Sequence, residues 1–133
     1  MKPDNELIIA ARYVLKHAYV KYSKFPVGAA LRMKDSNIIT GVNVENASYG
    51  LSNCAERTAL FTAITEGYTK DDILEVVVTT PKDYIVSPCG ACRQVMGELI
   101  HPDVPVHMVD ANGNVKTLLN RELLPAGFSE DDL

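Results

Sequence analysis

The sequence predicts an α/β fold: a three-layer α/β/α sandwich on one mixed five-stranded sheet, with residues 1–133 forming a single domain. Three observations carry this expectation. Helix-like and strand-like segments follow one another in the order α-β-β-α-β-α-β-β, closed by a last helical turn. The run Ile73-Leu74-Glu75-Val76-Val77-Val78-Thr79-Thr80 is nearly continuous in β-branched residues, as a central strand buried on both faces is. At this length one core removes roughly two-thirds of the unfolded surface from water.

The first helix is expected over Asn5 to Val20, where Leu7, Ile8, Ala11, Val14, Leu15 and Ala18 recur at three- and four-residue steps. Lys21-Tyr22-Ser23-Lys24-Phe25-Pro26 ends it, because proline disfavours helical geometry in the residue before it. Val27–Met33 and Ile38–Val44 flank the polar Lys34-Asp35-Ser36-Asn37 and predict an antiparallel hairpin. The second strand runs into Glu45-Asn46-Ala47-Ser48-Tyr49-Gly50, a polar loop. Asn43 and Glu45 alternate with Val42 and Val44 and so share one face. That face suits sugar hydroxyls or plain solvent equally well.

Asn53 is a candidate cap for a helix that starts at Cys54 and stops at Gly67. After the central strand, Pro88 opens a helix from Cys89 to about Ile100, with Cys89 and Cys92 on one side of its first turn. Val104–Val109 and Asn114–Thr117 complete the strands around an Asn112-Gly113 turn, and Leu118–Leu124 forms the final helical turn.

Composition narrows the function classes. A hydrophobic content of 47% and charged content of 23% are globular values. The net charge of -4 argues against a nucleic-acid partner, which would need a basic face. No apolar run reaches the ~20 residues of a membrane span. The acid in Met1-Lys2-Pro3-Asp4-Asn5-Glu6 is unlike a secretory leader, so a cytoplasmic location is expected.

All three cysteines fall in two segments, Cys54-Ala55-Glu56 and Pro88-Cys89-Gly90-Ala91-Cys92. An odd number does not close a disulfide framework. Isolated cysteines are usually buried and inert, but this grouping favours three soft ligands for zinc with a fourth position left to water, the catalytic arrangement. Two helix starts supply the thiols, and a helix start favours thiolate. Glu56, two residues beyond a ligand, suits a proton carrier beside that water. The pattern is that of zinc-dependent nucleobase deaminases, with Cys54 where a histidine commonly stands. His101 and His107 lack ligand spacing and read as structural; His17 reads as a surface or capping residue.

Over nearly its whole length the chain resembles the small, homotetrameric cytidine deaminases. The resemblance lies in Phe25-Pro26-Val27-Gly28-Ala29-Ala30, Gly41–Tyr49, Cys54-Ala55-Glu56-Arg57 and Ser87-Pro88-Cys89-Gly90-Ala91-Cys92-Arg93-Gln94, in that order. It implies one zinc per subunit on Cys54, Cys89 and Cys92, and hydrolytic deamination of cytidine and 2′-deoxycytidine in pyrimidine nucleoside salvage. It implies that Glu56 shuttles protons, that Asn43 and Glu45 hold the ribose hydroxyls, and that Phe25 packs on the pyrimidine. Backbone groups of Ala55 and Ser87 would hold the base edge. Ala47 and Tyr49 resemble positions facing a neighbour's site, and Phe128 resembles an aromatic that covers the nucleoside from another subunit.

Charge makes one further demand. Three thiolates more than cancel the metal's double charge, which opposes acidification of water. Arg57, one turn from Cys54, is the expected donor to the sulfurs and resembles the family's arginine in that role; Arg93 is the alternative. Three other readings compete: a deaminase for another aminopyrimidine of the blasticidin type, a closed structural zinc module, and a polynucleotide-editing deaminase. The second needs a fourth ligand that is not visible, and the -4 charge disfavours the third.

Overall fold

A computed structural model describes residues 1–133. Asp4 starts the first helix: its carboxylate accepts the Glu6 N–H at 2.9 Å, and α1 runs over Asn5–Tyr13. The same carboxylate meets Arg32 at 2.7 Å and ties the helix start to the first strand. α1 is shorter than its periodicity predicts. A single tighter turn, Val14–His17, follows it, and then the chain is pulled straight. The Tyr19 N–H donates to the Asn43 carbonyl at 3.0 Å and the Glu45 N–H donates back to Tyr19 at 2.8 Å. Two sheet-like bonds there replace what another helical turn would offer.

β1 (Gly28–Met33) and β2 (Ile38–Val42) form the expected hairpin, with Gly28 opposite Val42 and Arg32 opposite Ile38. β3 (Ile73–Thr79) pairs antiparallel with β1, β4 (Pro105–Val109) parallel with β3, and β5 (Val115–Leu119) antiparallel with β4. The sheet order is β2-β1-β3-β4-β5, which puts the β-branched run at the centre as expected. Only the β3–β4 pair is parallel, and it requires a crossover. α3 (Gly90–Leu99) provides it.

Side-chain alternation divides the layers. Ala29, Leu31, Met33, Val76 and Val78 pack with Ala59, Leu60 and Ala63 of α2 (Ala55–Thr65) and with Cys92 and Met96 of α3. The alternate residues Ala30 and Val77 face Leu7 and Ala11 of α1 on the other side. The result is the three-layer sandwich, with both cysteine-bearing helices on one face. A short helix, α4 (Asn120–Leu123), closes the chain against α3: the buried Asn120 amide donates to the Met96 and Ile100 carbonyls at 2.9 and 3.0 Å.

The two later helices begin one residue beyond the expected point. Cys54 and Cys89 are themselves the capping residues, and neither uses its side chain to cap. Asn53 does not cap α2. Its backbone pairs with Val44 at 2.9 Å in both directions, and its amide donates to the Thr58 hydroxyl at 3.0 Å. Gly67 ends α2 as expected, at φ +93°. Its N–H donates to Ile64, and the Tyr68 N–H donates to Ala63, each at 3.0 Å, the paired bonds of a Schellman stop.

Candidate active site

The starts of α2 and α3 converge. The Cys54 and Cys89 sulfurs lie 3.7 Å apart, and all three cysteine sulfurs lie within 4.8 Å of one another. Tetrahedral zinc with bonds of about 2.3 Å would place its sulfurs about 3.8 Å apart. The donor set therefore fits one zinc ion. Cys92 is fully buried, Cys54 is half-buried, and Cys89 is open to the surface. No histidine joins the cluster: His107 bonds Thr117 and Glu75, His101 meets Asp71, and His17 stacks edge-on against Tyr13.

Hydrogen bonds from Cys92 and then Arg57 bring the Cys54 thiol down to about 5. The proton shared with Cys54, together with burial, pushes the Cys92 thiol up. Arg57 Nη2 donates to Cys54 Sγ at 3.4 Å, so the expected arginine reaches the sulfurs. Arg93 spends its guanidinium elsewhere, on the Pro88 carbonyl at 2.8 Å and the Leu123 carbonyl at 2.6 Å. Its work is to fasten the α3 start to α4.

A cavity of about 180 Å³ adjoins the sulfurs, walled by Val27, Asn43, Cys54, Ala55, Glu56, Val78, Thr79, Thr80, Val86, Ser87 and Cys89. Glu56 is only 5% exposed. Desolvation, with the Cys54 thiolate adding to it, pushes its carboxyl up to about 7. A buried carboxyl at the wall of a partly apolar cavity, next to Arg57 in the chain and beside three thiols, can both accept and return a proton.

The other expected residues do not all share this cavity. Asn43, Ala55 and Ser87 line this same cavity. Asn43 is locked, its oxygen accepting the Val27 N–H at 2.9 Å and its amide donating to the Phe25 carbonyl at 2.8 Å. It keeps one N–H and one lone pair free. Glu45 and Tyr49 line a neighbouring groove with Tyr22, Ser23 and Ser52. Tyr49 is 75% exposed and meets the Tyr22 ring edge-on at 6.1 Å. Phe25 is half-buried under the Lys82 ammonium, which stands 5.3 Å from its ring centre. Ala47 is exposed on the loop between. Phe128 stands apart from the cavity, 61% exposed, with its carbonyl held by Gln94 at 2.9 Å. The walls Val27, Val78, Thr79 and Thr80 carry no sequence signal of their own, since valine and threonine at strand ends are ordinary sheet residues, and Val86 is a single apolar residue in the loop before α3.

Known proteins share this architecture. Residues 1–108 match the family described as "Cytidine and deoxycytidylate deaminase zinc-binding region". A cytidine deaminase of Halalkalibacterium halodurans is 49% identical over 131 residues, covering 98% of each chain. One from Sporosarcina psychrophila is 44% identical over 128 residues, covering 96% of this chain and 93% of that one. The crystal structure of the Burkholderia pseudomallei cytidine deaminase superposes with a TM-score of 0.91 at 45% identity, covering 96% of this chain and 100% of the other. The chain accordingly belongs to the cytidine and deoxycytidylate deaminase zinc-binding family.

Proposed function

We propose that this chain hydrolyses cytidine and 2′-deoxycytidine to uridine and 2′-deoxyuridine, releasing ammonia, with one zinc on Cys54, Cys89 and Cys92. The observation that carries this reading is the convergence of three sulfurs within 4.8 Å beside a buried glutamate on one cavity wall. Bound zinc supplies a Lewis acid that makes water acidic near neutral pH. Glu56 takes a proton from water and delivers it to N3 of the cytosine ring, which makes C4 electrophilic. Water's oxygen adds at C4, Glu56 takes the second proton from the new C4 hydroxyl and passes it to the amino group, the C4–N bond breaks, ammonia leaves, and the C4 carbonyl of uridine remains. One carboxylate serves both transfers because its burial keeps it able to hold or release a proton near neutral pH.

The remaining residues orient the nucleoside. Val27, Val78 and Val86 exclude water around the base, and backbone groups of Ala55 and Ser87 meet its edge. Asn43, already fixed by two backbone bonds, offers its spare donor and acceptor to a ribose hydroxyl. Glu45 accepts three hydrogen bonds from the Tyr22–Ser23 segment and keeps one lone pair for a second hydroxyl. Phe25 packs on the pyrimidine. Arg57 draws negative charge from the sulfurs and restores the acidity that three thiolates would suppress.

Exposed Tyr49, Leu51, Phe61, Ile64 and Phe128 supply apolar surface that a lone chain would leave in water, which favours a homotetramer with sites shared between subunits. Ala47 and Tyr49 would then face a neighbour's site, and Phe128 would cover the nucleoside of another subunit. Three free thiols suit the reducing cytoplasm, where the enzyme would serve pyrimidine nucleoside salvage. The deciding experiment couples metal analysis to ultraviolet monitoring of cytidine. One zinc per chain with conversion to uridine is expected; zinc-loaded protein that leaves cytidine intact overturns the proposal.

A further inference from the structure

The loop before β1 ties two of the proposed substrate contacts together through one hydroxyl. Glu45 Oε1 accepts the backbone N–H groups of Tyr22 and Ser23, both at 3.0 Å, and Oε2 accepts the Ser23 hydroxyl. The same Ser23 oxygen accepts the Phe25 N–H at 3.0 Å. Between them Lys24 sits at φ +57°, a region that residues with a side chain rarely adopt, and its N–H is spent on the Val20 carbonyl at 2.8 Å. The Phe25 carbonyl then accepts the Asn43 amide. The chain of bonds is continuous: carboxylate, hydroxyl, backbone of the aromatic residue, amide.

We propose that Ser23 is a positioning residue, which aims the Glu45 carboxylate and the Phe25 ring together so that sugar and base are gripped as one unit. This inference rests on the substrate contacts proposed above. Ser23 is exposed and belongs to neither apolar core cluster, so core packing does not account for it. Its hydroxyl is the only side chain bonded to Glu45, and its bonds hold that carboxyl below the ordinary carboxylate range. Without the hydroxyl, Oε2 turns to water and the Phe25 N–H loses its acceptor, while both backbone bonds to Oε1 survive. The left-handed turn at Lys24 then has one fewer restraint, and the ring no longer moves in step with the carboxylate.

The test is Ser23→Ala on the zinc-loaded enzyme. Contacts made equally in ground and transition states change KM alone, so KM for cytidine should rise about tenfold, or about 1.4 kcal/mol, with kcat within about twofold. Zinc content and melting midpoint should stay at wild-type values. Ser23→Thr, which keeps the hydroxyl, should return KM to within about threefold of wild type. In a Glu45→Ala background, Ser23→Ala should have almost no further effect, because the two act through one contact. A wild-type KM in Ser23→Ala beside a raised KM in Glu45→Ala overturns the inference and leaves the substrate contacts standing. Unchanged KM in both Glu45→Ala and Phe25→Leu removes those contacts, and the inference with them. A parallel loss of kcat and melting temperature in Ser23→Ala would make the serine merely structural and also overturn it.

Discussion

Gly41 offers the sharpest test of how the fold holds the site. It lies in β2 against the early turns of α2, and a Cβ there would stand 2.4 Å from the Ala59 nitrogen, 2.7 Å from the Ala55 carbonyl oxygen and 2.9 Å from Ala59 Cα. All three neighbours are backbone, so no side chain can swing aside. Since ordinary Cβ contact begins at about 3.4 Å, strand and helix must part by roughly 1 Å. Overpacking of this kind costs about 1–3 kcal/mol. α2 is capped by Cys54 and carries Glu56 and Arg57, whereas Cys89 caps α3 and Cys92 lies within it, so the displacement separates one part of the site from the other. A misplacement of about 1 Å can lower a rate by about 10²-fold. Gly41→Ala should therefore lower the urea unfolding free energy by about 1–3 kcal/mol and cytidine turnover by about 10²-fold. Gly97→Ala is the control. It makes the same chemical change inside α3, where nothing lies within 4 Å of the new atom. Helix propensity then favours alanine by about 0.8–1 kcal/mol, with turnover unchanged. If Gly41→Ala unfolds at the wild-type urea concentration with full turnover, the packing argument is wrong.

Glu56→Gln keeps the side-chain volume but can neither accept nor return a proton, so zinc should remain and nearly all turnover should vanish; substantial residual conversion would refute the shuttle. Arg57→Gln removes the donor 3.4 Å from Cys54 Sγ and should cost about 10–100-fold in zinc affinity or turnover, with competitive chelation and steady-state rates as the measures. Wild-type values for both would end the charge argument. His107 should make stability depend on pH. It is fully buried, and desolvation lowers its pKa despite the nearby Glu75 carboxylate. The neutral ring is satisfied as it stands: Nε2–H donates to Glu75 at 2.8 Å and Nδ1 accepts the Thr117 hydroxyl at 2.7 Å. The unfolded chain takes up the proton near pH 6.5 and the native state only at lower pH, so this stabilisation is present above about 6.5 and is lost as pH falls below it. Glu56, raised to about 7, stabilises in the opposite direction over this range. In a Glu56→Gln background, which removes that pull, urea midpoints should fall from neutral to mildly acidic pH, and a flat or opposite trend would contradict the assignment.

Much of the site is legible in the sequence because its ligands come from local pattern. Cys89 and Cys92, and likewise Cys54 and Arg57, stand three residues apart, so spacing alone puts each pair on one side of its helix start. The expected early start of these helices fails for a physical reason. Cys54 and Cys89 hold extended capping geometry, with Asn53 drawn into pairing with Val44 rather than capping α2. The overlong first helix fails for a related reason, since the bonds that straighten the chain at Tyr19 come from Asn43 and Glu45, more than twenty residues away. Ser23 is invisible by the same logic: one serine in a polar loop gives no sign that its hydroxyl will meet a carboxylate at position 45.

The order of elements, the central strand, the metal-binding character and the resemblance to deaminases were determined by residue types and spacings within short windows, where backbone geometry leaves few choices. Tertiary structure alone decided which arginine reaches a sulfur. It also decided which walls enclose the cavity beside Glu56, and how one loop binds Glu45, Phe25 and Asn43 into a single bonded chain. These are distances between segments far apart in sequence. They are fixed only when the apolar faces of the sheet and its helices close on one another, because water is excluded from all of those faces at once.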